Sequence, residues 1–168
     1  MKALIFSDSH GKHEHLFSVL RKEKNVDAVL HLGDLEGGEE EIRREIEKHF
    51  PLAAFKAVPG NCDISTDKLP YFVYKIPGTN LRIFMTHGHR YHVSNGTELL
   101  ETAARKENCS AAFYGHTHIA KEERRDGLLI YNPGSISLPR GEKRRPSYGI
   151  MTISDEGKEI EVQTVFLN

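Results

Sequence analysis

Six short polar clusters punctuate the 168-residue chain, each following an apolar run that reads as a β-strand. They are Asp8-Ser9-His10, Gly33-Asp34, Gly60-Asn61-Cys62-Asp63, His87-Gly88-His89, Gly115-His116-Thr117-His118 and Asn132-Pro133-Gly134-Ser135. In open sheets, ligands collect just past the strand ends, so residues far apart in sequence can meet in one pocket. The clusters offer carboxylates, imidazoles and a carboxamide, a donor set for two divalent metal ions. Donors of this kind, with no thiolate partner, suit manganese, iron, cobalt, nickel or zinc and do not form a cysteine-type structural zinc site.

Asp34 stands alone after Gly33 and has two carboxylate oxygens, which makes it the natural bridge between ions about 3.5–4 Å apart. Two divalent ions, offset by Asp8, Asp34 and a bridging hydroxide, leave about one net positive charge if every histidine is neutral. Such a centre attracts an anion, acidifies the bridging water and stabilises a pentacoordinate phosphorus transition state. Hydrolysis of a phosphate ester uses every part of it. One cluster alone is weak evidence, because lone histidines are more often surface or hydrogen-bonded core residues. Five different loops, each presenting a ligand-competent side chain at a strand end, are far less common by chance.

The elements that must position these groups can be read from periodicity. Ala3-Leu4-Ile5-Phe6 and Ala28 to Leu32 are continuous apolar runs suited to strands covered on both faces. Between them, Leu16, Val19 and Leu20 are spaced for a helix over about His13–Lys24, and Ile42 with Ile46 for one over Glu39–Lys48. A third strand spans Leu52 to Val58, and Tyr71–Ile76 with Leu81–Met85 reads as a hairpin around Pro77-Gly78-Thr79-Asn80. A helix over Thr97–Lys106, capped by Asn95 or Thr97, is expected to bury Leu99, Leu100 and Ala103. A strand over Ala111–Tyr114 then delivers Gly115 to His118. The remainder, Leu128–Tyr131, Tyr148–Ile153 and Ile160–Phe166, contains no helix, and Asp155-Glu156-Gly157 reads as the turn between its last two strands. The expected fold is α/β (α+β): a βα-type first half and an antiparallel second half, forming a four-layer β-sandwich flanked by helices. A single domain over 1–168 is expected.

The 23 basic and 24 acidic residues leave a net charge of −1, which gives no general pull toward nucleic acid or anionic membrane. Long nucleic acid is therefore disfavoured as a partner. The first apolar run, about five residues long, is too short for a signal-peptide core or a membrane span. Cys62 and Cys109 read as free thiols, so a cytoplasmic protein without membrane association is expected, with a homo-oligomer left open.

On these motifs the chain resembles the calcineurin-like metallophosphoesterase superfamily, whose pattern is Asp-x-His, Gly-Asp, Gly-Asn-His-Asp/Glu, a later His, and Gly-His-x-His. The match runs from residue 8 to 118 and on into Asn132 to Ser135, and it is similar to the small bacterial and archaeal phosphodiesterase branch. The resemblance implies a first ion held by Asp8, His10, Asp34 and His118 and a second held by Asp34, Asn61, His87 and His116, with Asp34, Asn61 and His87 also catalytic. It implies a divalent-metal-dependent phosphodiesterase acting on small or activated phosphoesters, with manganese placed first and nickel, iron, cobalt or zinc as alternatives. The other function class is a non-catalytic metal-binding scaffold, like the retromer subunit of this fold; the complete ligand set favours the enzyme.

One residue departs from the family pattern: Cys62 stands where much of the superfamily has a histidine, and a thiol is a poor general acid. Asp63 reads as an acceptor that orients a ligand, or as a turn aspartate, and His89 as a substrate contact or an ordinary loop histidine. His13, His15, His31, His49 and His92 read as surface or packing residues. The basic run Arg140, Lys143, Arg144 and Arg145 reads as a solvated loop, and Cys109 as a small buried hydrophobe.

Overall fold

A computed structural model of the chain describes residues 1–63, 69–154 and 156–168. Among these residues, ten strands form two mixed five-stranded sheets. The first sheet holds β1 (Lys2–Phe6), β2 (Ala28–His31), β3 (Ala54–Ala57), β9 (Ser147–Ile153) and β10 (Ile160–Phe166), in the order β10-β9-β1-β2-β3. The second holds β4 (Tyr71–Lys75), β5 (Arg82–Thr86), β6 (Ala111–Phe113), β7 (Ala120–Arg125) and β8 (Leu128–Pro133), in the order β4-β5-β6-β8-β7. The helices are α1 (Glu14–Lys22), α2 (Glu39–His49) and α3 (Glu98–Lys106).

Side-chain alternation along the strands creates the layers. Ala3, Ile5, Ala28 and Leu30 pack with Ile83, Met85, Phe113, Leu129 and Tyr131 in one cluster between the sheets. The intervening Leu4, Phe6 and Val29 pack instead with Leu16, Leu20, Ile42 and Ile46 of α1 and α2. On the far side, Phe84, Ala112 and Ile130 meet Leu100 and Ala104 of α3. The order of layers is therefore helices, sheet, sheet, helix, as the apolar runs imply.

The antiparallel expectation for the later strands holds for β7–β8, β9–β10 and β9–β1, and fails where β8 lies beside β6. β5, β6 and β8 run parallel, and only the outer strands β4 and β7 are antiparallel to their neighbours. Helix α3 crosses from β5 to β6, and β7 lies at the edge, so β8 returns beside β6 in the same direction. The sequence reading contains no strand at Ala120–Arg125 because Lys121, Glu122, Glu123, Arg124 and Arg125 carry no apolar alternation. An edge strand needs none, since charges there stay in water and block further pairing. β9 and β10 also leave the second sheet and pair antiparallel beside β1. Asp155 of the expected β9–β10 turn lies outside the described residues.

Helix α3 is rotated from the expected face: Leu100 and Ala104 are buried, whereas Leu99 is 55% exposed and Ala103 packs only at the margin. Thr97 occupies the N-cap position without a capping bond, its hydroxyl turning instead to Glu123 at 3.4 Å. The packing gives a direct test by urea denaturation. Leu30→Ala, which removes a side chain from between the sheets, is expected to cost about 2–5 kcal/mol. Leu99→Ala is expected to cost no more than about 0.5 kcal/mol.

Candidate metal centre

The parallel strands of both sheets end at one mouth, where backbone bonds tie their loops together. Asp8 N–H donates to the Gly33 carbonyl at 3.0 Å, and His10 N–H to the Asp34 carbonyl at 2.9 Å. Gly115 N–H donates to the His87 carbonyl at 3.0 Å. Five of the candidate ligands, Asp8, His10, Asp34, His116 and His118, hold left-handed backbone with φ between 47° and 67°. That conformation costs a non-glycine residue roughly 1–2 kcal/mol, and its concentration at one site marks backbone bent for function. A Cβ at Gly60 would collide with the Asp34 carboxylate and backbone nitrogen, and one at Gly115 with Ser7 Oγ and Asp8 Oδ2. The flanking glycines therefore let neighbouring loops touch.

The structure brings all seven sequence-selected residues together. His87 Nε2 lies 3.3 Å from Asp34 Oδ2, 3.9 Å from Asp8 Oδ1 and 3.1 Å from Asn61 Oδ1. Asn61 Oδ1 is also 2.9 Å from His116 Nδ1, and the His116 N–H donates to Asp8 Oδ2 at 3.1 Å. His118 Nε2 lies 3.2 Å from Asp8 Oδ1 and 3.3 Å from His10 Nε2, which in turn stands 3.7 Å from Asp34 Oδ2. Asp8, Asp34, His87 and His118 are buried.

The outward ring nitrogens decide what the inward ones can do. His87 Nδ1 donates to the Leu32 carbonyl at 2.7 Å, His118 Nδ1 to the Leu138 carbonyl at 2.6 Å, and His10 Nδ1 to Glu36 Oε1 at 2.7 Å. A neutral imidazole has one N–H, so each of these rings turns an Nε2 lone pair inward. There it meets carboxylate oxygens and other lone pairs. Asp8 Oδ1, buried at the centre of this group, has no hydrogen-bond partner among the described residues. Acceptors converging without a donor require positive charge between them, and a divalent cation satisfies several at once. The donor set thus fits divalent metal ions.

The electrostatics agree. Burial pushes the Asp34 carboxyl up, but His87 and the Cys62 backbone N–H outweigh it and leave the group below its ordinary pKa. Asp8 is likewise lowered, with His118 and His87 outweighing burial. The His87 pKa is raised because Asp34 and Asp8 overcome the effect of burial. For Cys62, burial and the Asp34 and Glu36 carboxylates push the thiol up to about 11, so it keeps its proton at neutral pH.

Residues behind the centre hold it in place. Asp63 accepts from three backbone N–H groups, those of Asp34 at 2.9 Å and of Glu36 and Gly60 at 2.7 Å. Both of its sequence readings apply: the Gly60 bond closes its own turn, and the bonds from Asp34 and Glu36 join the loops after β2 and β3. Asn132 donates to the Gly115 carbonyl at 2.8 Å, and Ser135 and Ser137 donate to the Asp8 carbonyl at 2.7 and 3.0 Å. Glu36 was not singled out by the sequence; its position two residues after Asp34 was the only available signal. Of the basic run, Arg145 bonds the Leu167 carbonyl and Lys143 lies over the Phe166 ring at 4.2 Å, so both serve the C-terminal strand. Both described cysteines are free, and Cys109 is half-buried rather than fully enclosed.

A profile of the calcineurin-like phosphoesterase superfamily domain matches residues 1–156. The chain belongs to that superfamily. It is 35% identical over 164 residues to the probable metallophosphoesterase YsnB of Bacillus subtilis, covering 95% of this chain and 89% of that protein. It is 30% identical over 153 residues to the phosphodiesterase MJ0936 of Methanocaldococcus jannaschii, covering 80% and 83%. The solved structure of zinc-complexed Vps29 from Entamoeba histolytica shares the fold, with a TM-score of 0.75 and 24% identity over all of both chains. Like those proteins, this member of the calcineurin-like phosphoesterase superfamily carries the metallophosphoesterase fold. Among its described residues, no helix is long and apolar enough to cross a membrane.

Next to the centre, His31 is fully buried between Ser9 Oγ at 3.2 Å and the Gly33 N–H at 3.3 Å, a packing residue. Burial, opposed by Asp8 and Asp63, lowers its pKa from 6.5 to about 3. The folded ring stays neutral where the unfolded chain protonates it, so its contribution to stability is complete above pH 6.5 and is lost as pH falls toward 3. The slope from one such group reaches about 1.4 kcal/mol per pH unit. In metal-free protein, urea unfolding followed by circular dichroism is expected to show a shallower loss of stability between pH 6 and about 4.5 in His31→Asn than in wild type.

Proposed function

We propose that this protein is a divalent-metal-dependent phosphodiesterase that hydrolyses small or activated phosphoesters through two ions. The observation that carries the reading is the convergence of His10, His87 and His118 Nε2 with the Asp8 and Asp34 carboxylates, while every outward Nδ1 is already engaged. Asp8, His10, Asp34 and His118 would hold the first ion, and Asp34, Asn61, His87 and His116 the second. When bound, the ions supply Lewis acidity toward a phosphate oxygen and lower the pKa of water. Manganese is proposed first, with nickel, iron, cobalt or zinc as alternatives.

The protein's own groups set orientation and protonation. Leu32 and Leu138 carbonyls fix the His87 and His118 tautomers, and the Cys62 backbone N–H holds Asp34 Oδ1 at 2.8 Å, leaving Oδ2 turned toward His87. His89 lies beside the centre, its ring 5.5 Å from that of His87 and 6.2 Å from that of His116, where it is the candidate substrate contact. Cys62, exposed and protonated, is too weak an acid to drive out poor leaving groups. Esters of acidic alcohols, aryl phosphodiesters among them, whose leaving groups depart with little protonation, are the substrates that suit such a centre. The relative named phosphodiesterase supports the same substrate class. A single domain, a cytoplasmic setting and a small phosphoester as partner complete the reading, with long polynucleotides disfavoured by the net charge of −1.

The test is hydrolysis of paired aryl phosphodiester and phosphomonoester substrates by metal-stripped protein before and after addition of Mn²⁺. Restored diester cleavage is expected, with Asp34→Asn and His116→Ala each lowering the rate at least 100-fold. Stoichiometric metal binding with no turnover under any divalent ion would favour the scaffold reading instead. Cys62→His is expected to raise hydrolysis of alkyl esters and monoesters relative to the aryl diester. Unchanged relative rates would show that position 62 does not set the leaving-group preference.

A further inference from the structure

The two halves of the centre are backed unequally. The residues belonging only to the first half are Asp8, His10 and His118; Asp8 is a carboxylate, and His10 Nδ1 donates to the Glu36 carboxylate at 2.7 Å. Those belonging only to the second half, Asn61, His87 and His116, include no carboxylate, and His87 Nδ1 donates to an uncharged carbonyl, that of Leu32. Asp34 is common to both. Asp8 Oδ1 stands nearer His118 Nε2, at 3.2 Å, than His87 Nε2, at 3.9 Å, and Glu36 backs His10 of the first half while no carboxylate backs a ring of the second through its outward nitrogen.

Glu36 is built into this arrangement and is not a casual surface contact. Its backbone N–H is held by Asp63 Oδ1 at 2.7 Å, and it takes a left-handed φ of 54°. No lysine or arginine pairs with it among the described residues. Its side chain is 38% exposed, so no packing requirement explains the acid at this position. A carboxylate behind a ligating imidazole fixes the tautomer, orients the ring and strengthens the inward nitrogen as a donor, typically by 10–100-fold in metal affinity.

We propose that Glu36 is a positioning residue that makes the two ion sites unequal, so that the Asp8, His10 and His118 half fills first and the Asn61, His87 and His116 half holds an exchangeable ion. The proposal rests on the two-ion reading of the centre given above. It is tested by adding Mn²⁺ to the metal-free full chain, with binding followed by calorimetry and by the electron paramagnetic resonance of free Mn²⁺. Wild type is expected to bind two ions in separate steps, the first at least about tenfold tighter. Glu36→Gln, which keeps the length and an acceptor oxygen but removes the charge, is expected to weaken the first step about tenfold and leave the second within about threefold. Glu36→Ala is expected to weaken the first step by up to about 100-fold. Both metal-free variants are expected to melt within about 2 °C of wild type. Equal steps in wild type, an unaltered first step in both variants, or parallel loss of both steps with metal-free stability would overturn the role of Glu36. Failure of wild type to bind Mn²⁺ at all would instead overturn the two-ion reading itself.

Discussion

Everything at the mouth of the two sheets follows from one electrostatic constraint: buried lone pairs have been gathered around a space that needs a cation. Asp8 Oδ1, the Nε2 atoms of His10, His87 and His118, and Asp34 Oδ2 approach one another at 3.2 to 3.9 Å. With the three rings neutral and their Nδ1 protons engaged outward, no donor stands among them. Without positive charge they repel, and each buried acceptor loses its water without gaining a partner. With it, the same atoms become a ligand cage. The engaged Nδ1 atoms matter as much as the inward ones, because they keep each ring from turning its N–H toward the centre.

Holding such a group together requires support that the loops cannot provide alone. Five left-handed residues oppose folding, and burial of the carboxylates adds to that cost. Three apolar clusters offset it by locking the sheets and helices, so the strand ends hold fixed positions. Asp63 then joins the loops after β2 and β3 through three backbone bonds, and Ser135 and Ser137 brace the loop after β1. The centre is rigid because its backbone is bonded on several sides, which is what preorganisation requires.

Charge is distributed with equal economy. The whole chain is nearly neutral, so attraction for an anion has to be local, and the centre supplies it once cations are bound. The Asp34 and Glu36 carboxylates that suit cation binding also keep the Cys62 thiol protonated. The position where much of the superfamily has an imidazole therefore offers little acid strength here.

The seven converging residues were legible in the sequence because each follows an apolar run and most stand beside a glycine. The continuous apolar run Ala3 to Phe6 and the spacing of Leu16, Val19 and Leu20 likewise determined that β1 is covered on both faces and which face of α1 is buried. β7 was not legible, because a charged edge strand has no apolar period. The parallel pairing of β8 with β6 was not legible either, because it depends on where β7 lies. The face of α3 was misread at Leu99, since one apolar residue more than the buried stripe needs leaves its phase open. Glu36 and Asp63 gain their meaning only when loops from different strands are brought side by side. Residue chemistry and local periodicity are written along the chain, so the sequence by itself determined the donor set and the layers. Which lone pairs face each other, and which carboxylate stands behind which imidazole, are relations across space that only the tertiary structure decided.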